Sequence, residues 1–184
     1  MKLVCVHGSP REAGNSSKIA DRLCALIQAK GHLAKSYYLN RLKYTGCQSC
    51  MGCKGKSEIC VLQDDLTEVL SEVKSADVIV LASPIFFGDL SAQMKGFVDR
   101  TYSYLTTDYK SRLLPGKKLV MILAQGDPDK KHFADVFPRY NEFFKWHNIG
   151  ESHLIRAFYS TGSESTPLDC AYREADEIAA KINR

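Results

Sequence analysis

The sequence has no long hydrophobic run and no strong charge excess. Its longest apolar stretch, 119–124, is six residues, whereas a membrane-spanning helix needs about 18. Lys and Arg number 25 against 21 Asp and Glu, and no segment concentrates the excess, so we expect neither membrane nor nucleic-acid partners. The amino-terminal apolar stretch is too short for a signal peptide. An odd number of cysteines, seven, argues against a disulfide framework. We therefore expect a cytoplasmic protein.

The 184 residues contain 45% hydrophobic and 25% charged residues, which predicts one globular domain over 1–184. Short continuous apolar runs at 3–6, 78–82 and 119–124 are typical of strands buried on both faces. Segments with helical spacing alternate with them, which predicts a parallel sheet with helices on both faces. Because the apolar strands should be central, we expect the order 2-1-3-4-5 of the three-layer, flavodoxin-like α/β fold, with ligand at the carboxyl ends of the strands. Helices are expected near 19–27, 66–73, 90–98, 133–147 (broken at Pro138) and 168–182, and edge strands at 33–39 and 154–159.

The loop between the first strand and first helix, 8–18, is rich in short polar side chains. Ser9, Asn15, Ser16 and Ser17 surround a predicted helix amino terminus, and Arg11 adds a cation. Free amides and the helix dipole favour an anion at such a position. The loop therefore indicates a cradle for a phosphate monoester. A polar turn with an Asn or Ser cap is the alternative.

A second interpretation of the same loop is hydrolytic. Cys5 and Arg11 have the C-x5-R spacing of low-molecular-weight tyrosine phosphatases, which the segment resembles, and 127–128 (Asp-Pro) could supply a general acid. Pro10 removes an amide that a phosphate loop should donate, and Glu12 would repel a phosphate. Cys5 lies in an apolar strand, where burial disfavours the thiolate.

After the third predicted strand, Phe86 and Phe87 precede a glycine and a helix capped by Asp89 or Ser91. Two adjacent aromatic side chains at a strand exit are unusual for a core. A flat aromatic ligand lying against the backbone of 86–88 would explain them. Packing of both rings in a subunit interface is the alternative.

Four cysteines crowd into a loop at 46–61 with the spacing C-x2-C-x2-C-x6-C. Thiols at such spacing on a glycine-bearing loop ligate iron–sulfur clusters or zinc. A metal-free loop with an exchangeable thiol pair, or a remnant of a metal site, stays open. The remaining three, Cys5, Cys24 and Cys170, are expected in the core.

Two motifs together, Gly-Ser-Pro-Arg-x3-Asn-Ser-Ser and Ser-Pro-Ile-Phe-Phe-Gly-x2-Ser-Ala-Gln-Met-Lys-x-Phe-x-Asp-Arg, resemble the NADPH-dependent FMN reductase family. The iron–sulfur flavoprotein branch is the most similar, and the resemblance covers about 1–102. It implies that the FMN phosphate is held by Ser9, Arg11, Asn15, Ser16 and Ser17. It implies that the isoalloxazine ring is held by Pro84, Ile85, Phe86, Phe87 and Gly88, with Gln125 and Gly126 in a third flavin-facing loop. It also implies a [4Fe-4S] cluster on Cys47, Cys50, Cys53 and Cys60.

The implied function is redox chemistry through FMN, without a catalytic acid or base from the protein. As an enzyme, the protein would pass electrons from NAD(P)H to a quinone, a nitro compound or free flavin. As a carrier, it would accept electrons from ferredoxin through the cluster. The resemblance also implies a homodimer or homotetramer, with aromatic surface from Phe86, Phe87, Phe97 and Tyr102.

Overall fold

The computed structural model describes residues 1–55, 57–158 and 168–182. Strands and helices alternate along the chain, as the hydrophobic pattern predicts. The strands are β1 (Lys2–His7), β2 (Leu33–Tyr38), β3 (Val78–Phe86), β4 (Asp89–Leu90), β5 (Lys118–Ala124) and β6 (Glu151–Ala157). The helices are α1 (Asn15–Ala29), α2 (Leu66–Ser75), α3 (Ala92–Arg100), α4 (Val136–Lys145) and α5 (Asp169–Lys181). None of these helices combines the length and apolar character that a bilayer crossing requires.

Five strands form a parallel sheet in the order β2-β1-β3-β5-β6. The predicted order 2-1-3-4-5 is confirmed, since β5 and β6 are the fourth and fifth parallel strands. The three central strands are the continuous apolar ones because helices cover both of their faces. The short β4 pairs antiparallel with the end of β3 and adds a sixth strand.

Two hydrophobic layers enclose the sheet because alternate strand residues point to opposite faces. On one face, α1 and α5 pack through residues such as Ile19, Leu23 and Ile178. On the other, α2, α3 and α4 contribute Val69, Phe97 and others. The burial of Phe97, which is 1% exposed, corrects the expectation that it forms part of an aromatic surface.

Several boundaries differ from the sequence prediction. The strand expected at 78–82 continues to Phe86 as β3, and Leu90 lies in β4 rather than in the following helix. The predicted break at Pro138 is wrong. Pro138 lies in the first turn of α4, where a backbone N–H has no partner within the helix and its loss costs little. The edge strand expected to reach 159 ends at Ala157, and residue 159 lies outside the described residues.

Candidate functional site

The carboxyl ends of β1, β3 and β5 bring three loops to one edge of the sheet. Hydrogen bonds join the first two loops directly. The Gly8 amide donates to the Ala82 carbonyl (2.8 Å), and the Ser91 hydroxyl donates to the Gly8 carbonyl (2.6 Å). Ser91 also caps α3 by accepting from the Met94 amide (3.2 Å), and its own amide donates to the Ser83 hydroxyl (3.1 Å). The two predicted ligand loops therefore form one connected unit.

Only glycine fits at position 8. A Cβ there would lie 2.6 Å from Met94 Cβ and 2.9 Å from Ser91 Oγ, closer than non-bonded atoms approach. The absence of a side chain lets the exit of β1 pack directly on the start of α3.

The loop after β1 leads into the amino terminus of α1, where Gly14 is the cap residue and makes no side-chain capping bond. The first-turn amides of 15–17 have no acceptor within the helix. Ser16 and Ser17 are buried there, and the Ser17 Oγ has no hydrogen-bond partner among the described residues. Such an unpaired buried hydroxyl, beside unpaired amides at a positive helix end, fits an anionic ligand.

The remaining polar residues of this loop shape it. The buried Ser9 hydroxyl accepts from the Arg11 amide (3.1 Å) and donates to the Arg11 carbonyl (2.8 Å). The Arg11 side chain itself is exposed. Glu12 forms an ion pair with Arg41, whose hydrogen bonds lower the pKa of the Glu12 carboxyl. The carboxylate that would oppose a phosphate is thus paired with a cation.

The aromatic loop after β3 is a tight turn whose central residues, Phe87 and Gly88, have φ of 50° and 89°. Positive φ at a bulky residue is strained. Phe87 is fully exposed and Phe86 is 44% exposed, whereas Ile85 is buried. Asp89 anchors the turn by accepting from Arg139 (3.0 Å) and Tyr140 (2.8 Å) of α4. The fold therefore holds two apolar rings outward at the same edge as the phosphate-type cradle.

Gln125 organises the loop after β5. Its buried side-chain amide donates to the Asp127 carbonyl (2.9 Å) and the Asp129 carbonyl (3.2 Å). Its carbonyl accepts from Arg156, which also donates to the His132 carbonyl (2.7 Å). The side chain of Gln125 is thus committed to the loop, and Gly126 beside it is exposed. The exposed Gly126 is therefore a residue of this loop that a ligand can reach.

The four clustered cysteines line one cavity of about 60 Å³, together with residues of α3 and the turn that follows it. Cys60 is buried, Cys53 is half-buried, and Cys47 and Cys50 are exposed. Burial raises the pKa of the Cys53 thiol, and the neighbouring Cys60 and Cys47 thiols raise it further. Cys60 therefore lines the same cavity as the other three cysteines despite its longer spacing in the sequence.

The cavity fits an iron–sulfur group in its donor set. Within the described residues, no three Cys, His, Asp or Glu side chains are arranged to bind a single metal ion as they stand. Four thiols and the buried cation Arg100 line one cavity, and thiolates are ligands of both zinc and iron–sulfur clusters.

Sequence reasoning missed the role of Arg100, which is 1% exposed. It pairs with Asp64 (2.8 Å) in the interior. Burial alone would lower the pKa of the Arg100 guanidinium. Asp64 and the adjacent Cys60 thiol favour the charged form more strongly, so the pKa is raised overall. The available signal was its spacing: Arg100 follows Met94 and Phe97 at intervals of three on the buried face of α3, and an arginine there needs an acidic partner.

The lone cysteines give no support to a hydrolytic site. Cys5 is fully buried beneath α1, with its Sγ 3.2 Å from His7 Nε2. Burial raises its pKa well above the usual value, so the thiol is not poised as a nucleophile. Cys24 is buried as expected, but Cys170 is exposed, and the expectation that it fills the core is wrong.

Comparison with known proteins agrees with this arrangement. Residues 1–150 match the sequence profile of the family described as NADPH-dependent FMN reductase. An iron–sulfur flavoprotein of Methanocaldococcus jannaschii is 28% identical over 187 aligned positions, covering 100% of this chain and 92% of that protein. An iron–sulfur flavoprotein of Archaeoglobus fulgidus is 36% identical over 104 residues, covering 56% of this chain and 47% of that protein. This alignment therefore spans about half of that relative's length.

The crystal structure of an FMN-dependent NADH-azoreductase from Bacillus anthracis, in complex with FMN, superposes with a TM-score of 0.76 at 16% identity, covering 100% of both chains. This likeness shows the fold. The open parallel sheet and its carboxyl-edge loops define a flavodoxin-like protein. The chain belongs to the NADPH-dependent FMN reductase family, as its two motifs predict. The comparisons give the phosphatase alternative no support.

Proposed function

We propose that this chain is an FMN-dependent oxidoreductase that receives electrons from NAD(P)H and delivers them to a small-molecule acceptor. The observation that carries the proposal is the buried Ser17 hydroxyl at the amino terminus of α1, which has no partner in the part of the chain that the structure describes. The loop that leads into this helix is joined to the segment after β3 by the hydrogen bond from Ser91 to the Gly8 carbonyl. A phosphate and a flat ring in one ligand match these two loops.

Each loop has a distinct task. The amides of 15–17, with Ser9, Asn15, Ser16 and Ser17, would hold the FMN phosphate, and exposed Arg11 would close over it. The turn from Pro84 to Gly88 would hold the isoalloxazine ring through its backbone, with Gln125 and Gly126 bordering it from the third loop. Bound FMN would supply two-electron acceptance from a nicotinamide and release to an acceptor.

We propose that none of the described residues acts as a general acid or base in this chemistry. Burial lowers the pKa of His7 to about 4, so this ring is neutral near pH 7. It stacks on Tyr38 with ring centroids 4.2 Å apart, which fixes it as a structural residue. The contribution of the chain is to bind, orient and shield the ring. We propose quinones, nitro compounds or free flavin as acceptors, since each is small and can approach an exposed ring edge.

The cysteine loop adds a second redox group to the proposal. Cys47, Cys50, Cys53 and Cys60 would hold a [4Fe-4S] cluster in the cavity that they share. The names of the two curated relatives support this assignment. A chain that holds the cluster could instead act as an electron carrier that receives electrons from ferredoxin. The carrier role requires iron in the purified protein, whereas the NAD(P)H-dependent role requires only FMN.

We also propose a homodimer or homotetramer. Phe86 and Phe87 are exposed. A cleft of about 500 Å³ between α3 and α4 is lined largely by apolar and aromatic side chains that include Tyr102, Phe143 and Trp146. Exposed aromatic surface of this kind is enriched in interface cores. A cytoplasmic location remains a proposal that rests on seven free cysteines.

The proposal is tested with protein purified without oxygen and loaded with FMN. We expect NADH or NADPH to bleach the flavin absorbance, and added naphthoquinone to restore it over many turnovers. Cys50→Ser should abolish any iron–sulfur absorbance and retain FMN, because the flavin loops lie elsewhere. If neither nicotinamide bleaches the flavin in iron-free protein, the oxidoreductase proposal fails. If the wild-type chain contains FMN but no iron, the proposed cluster is refuted and the oxidoreductase proposal stands.

A further inference from the structure

The side chain of Arg100 spans the two ends of the cysteine loop. Its Nη1 donates to the Thr45 carbonyl (2.9 Å) and to Asp64 Oδ2 (2.8 Å). Its Nη2 donates to the Leu62 carbonyl (3.2 Å) and to Asp64 Oδ1 (3.2 Å). Thr45 precedes the first clustered cysteine and Leu62 follows the last. One buried guanidinium therefore fixes both ends of the segment that contains all four thiols.

Four of the five N–H groups of a guanidinium are used in this way. The fifth, at Nε, is buried and has no hydrogen-bond acceptor in the part of the chain that the structure describes. Arg100 lines the cavity shared by the four cysteines. A buried unpaired donor costs about 1–3 kcal/mol, so this N–H favours an acceptor inside that cavity.

We propose that Arg100 is the positioning residue of the cysteine site. Its four terminal N–H groups hold the loop closed, and its Nε–H donates to a sulfur atom of the group that the thiols bind. The inference rests on the proposed iron–sulfur cluster. Hydrogen bonds to cluster sulfurs stabilise the more negative, reduced state and so set its reduction potential.

Arg112 offers a matched control. Its Nη1 donates to the Cys53 carbonyl (2.9 Å) and to the Ser103 carbonyl (2.8 Å), so it also ties the cysteine loop to the turn after α3. It does not line the cysteine cavity. Arg112→Lys therefore perturbs the anchoring of the loop without removing a donor from the cavity. Arg100→Lys keeps a positive charge beside Asp64 but removes the Nε–H together with the Nη groups that donate to Thr45 and Leu62.

The test compares wild type, Arg100→Lys and Arg112→Lys, all purified without oxygen and loaded with FMN. Iron content is measured first, and the cluster potential is then determined by mediated redox titration. We expect Arg100→Lys to retain iron. At a fixed potential its ratio of oxidised to reduced cluster should be about tenfold higher than in wild type. This corresponds to a reduction potential about 59 mV more negative for a one-electron step. Arg112→Lys should stay within about twofold of wild type. Equal potentials in wild type and Arg100→Lys, or the same shift in both variants, would overturn the proposal.

Hydrogen exchange covers the case in which Arg100→Lys holds no iron. In FMN-loaded, iron-free protein, amides throughout 45–62 should exchange about tenfold faster in Arg100→Lys than in wild type. In Arg112→Lys the acceleration should be confined to the surroundings of Cys53. Unchanged exchange over 45–62 in Arg100→Lys would refute the positioning role. An iron-free wild-type chain would refute the proposed cluster, while this exchange measurement would still decide the role of Arg100 in closing the loop.

Discussion

Replacing Ser91 with alanine should destabilise the protein by about 2–4 kcal/mol. The loss of a helix cap costs about 1 kcal/mol, and here the cap is the bond accepted from the Met94 amide. The same change leaves the buried Gly8 carbonyl without the hydroxyl that donates to it at 2.6 Å, for about 1–3 kcal/mol. The backbone amide of residue 91 still donates to the Ser83 hydroxyl in the variant, so this bond does not add to the loss.

Urea unfolding of the FMN-free protein gives the free energy directly. Ser71→Ala is the matched control, because Ser71 is exposed on α2 and its loss should change stability by less than about 0.5 kcal/mol. The flavin should also bind more weakly to Ser91→Ala, because the two ligand loops lose their shared anchor. A destabilisation below about 1 kcal/mol would refute the view that Ser91 joins these loops.

Three further predictions concern the pH dependence of stability, the buried ion pair and self-association. The folded-state pKa of His7 is about 4 against an ordinary value of 6.5, so the unfolded chain takes up a proton first and stability should fall as pH drops from 6.5 towards 4. Urea midpoints at pH 7 and pH 5 should differ less in His7→Gln, and an equal difference would contradict this. Asp64→Asn should cost about 3 kcal/mol in urea unfolding, because it leaves the Arg100 charge buried beside a neutral partner, and a cost below about 1 kcal/mol would show the pair to be dispensable. Light scattering at micromolar concentration should give a dimer or tetramer, weakened by Phe87→Ser because Phe87 is fully exposed, whereas a wild-type monomer would rule the interface out.

The sequence predicts most of the sheet because three of its strands are continuous apolar runs. Such a run needs cover on both faces, which places β1, β3 and β5 at the centre of the sheet. The polar residues at 15–17 also predict the start of α1, since serines and asparagine cluster at helix starts, although the cap itself is Gly14. In both cases the signal is local, because it depends on neighbouring residues in the sequence rather than on distant partners.

Features that depend on distant partners were not predictable in this way. The short β4 is defined by its pairing with β3, so its two residues carry no pattern of their own. The exposure of Cys170 and the burial of Phe97 depend on which helix face meets the sheet. The role of Arg100 requires Thr45, Leu62 and Asp64 to meet, although each lies more than thirty residues from it along the sequence.

The central claim is that the start of α1 forms a phosphate cradle for FMN. The most direct test is calorimetric titration of the flavin-free protein with FMN and, separately, with riboflavin. Wild type should bind FMN more tightly than riboflavin, and Ser17→Ala should weaken FMN binding about tenfold to a hundredfold, equal to about 1.5–3 kcal/mol for a charge-assisted hydrogen bond. Riboflavin binding should be the same in both proteins, because it has no phosphate to meet the Ser17 hydroxyl. Equal affinity of wild type for the two flavins, or an equal loss for both in Ser17→Ala, would contradict the account.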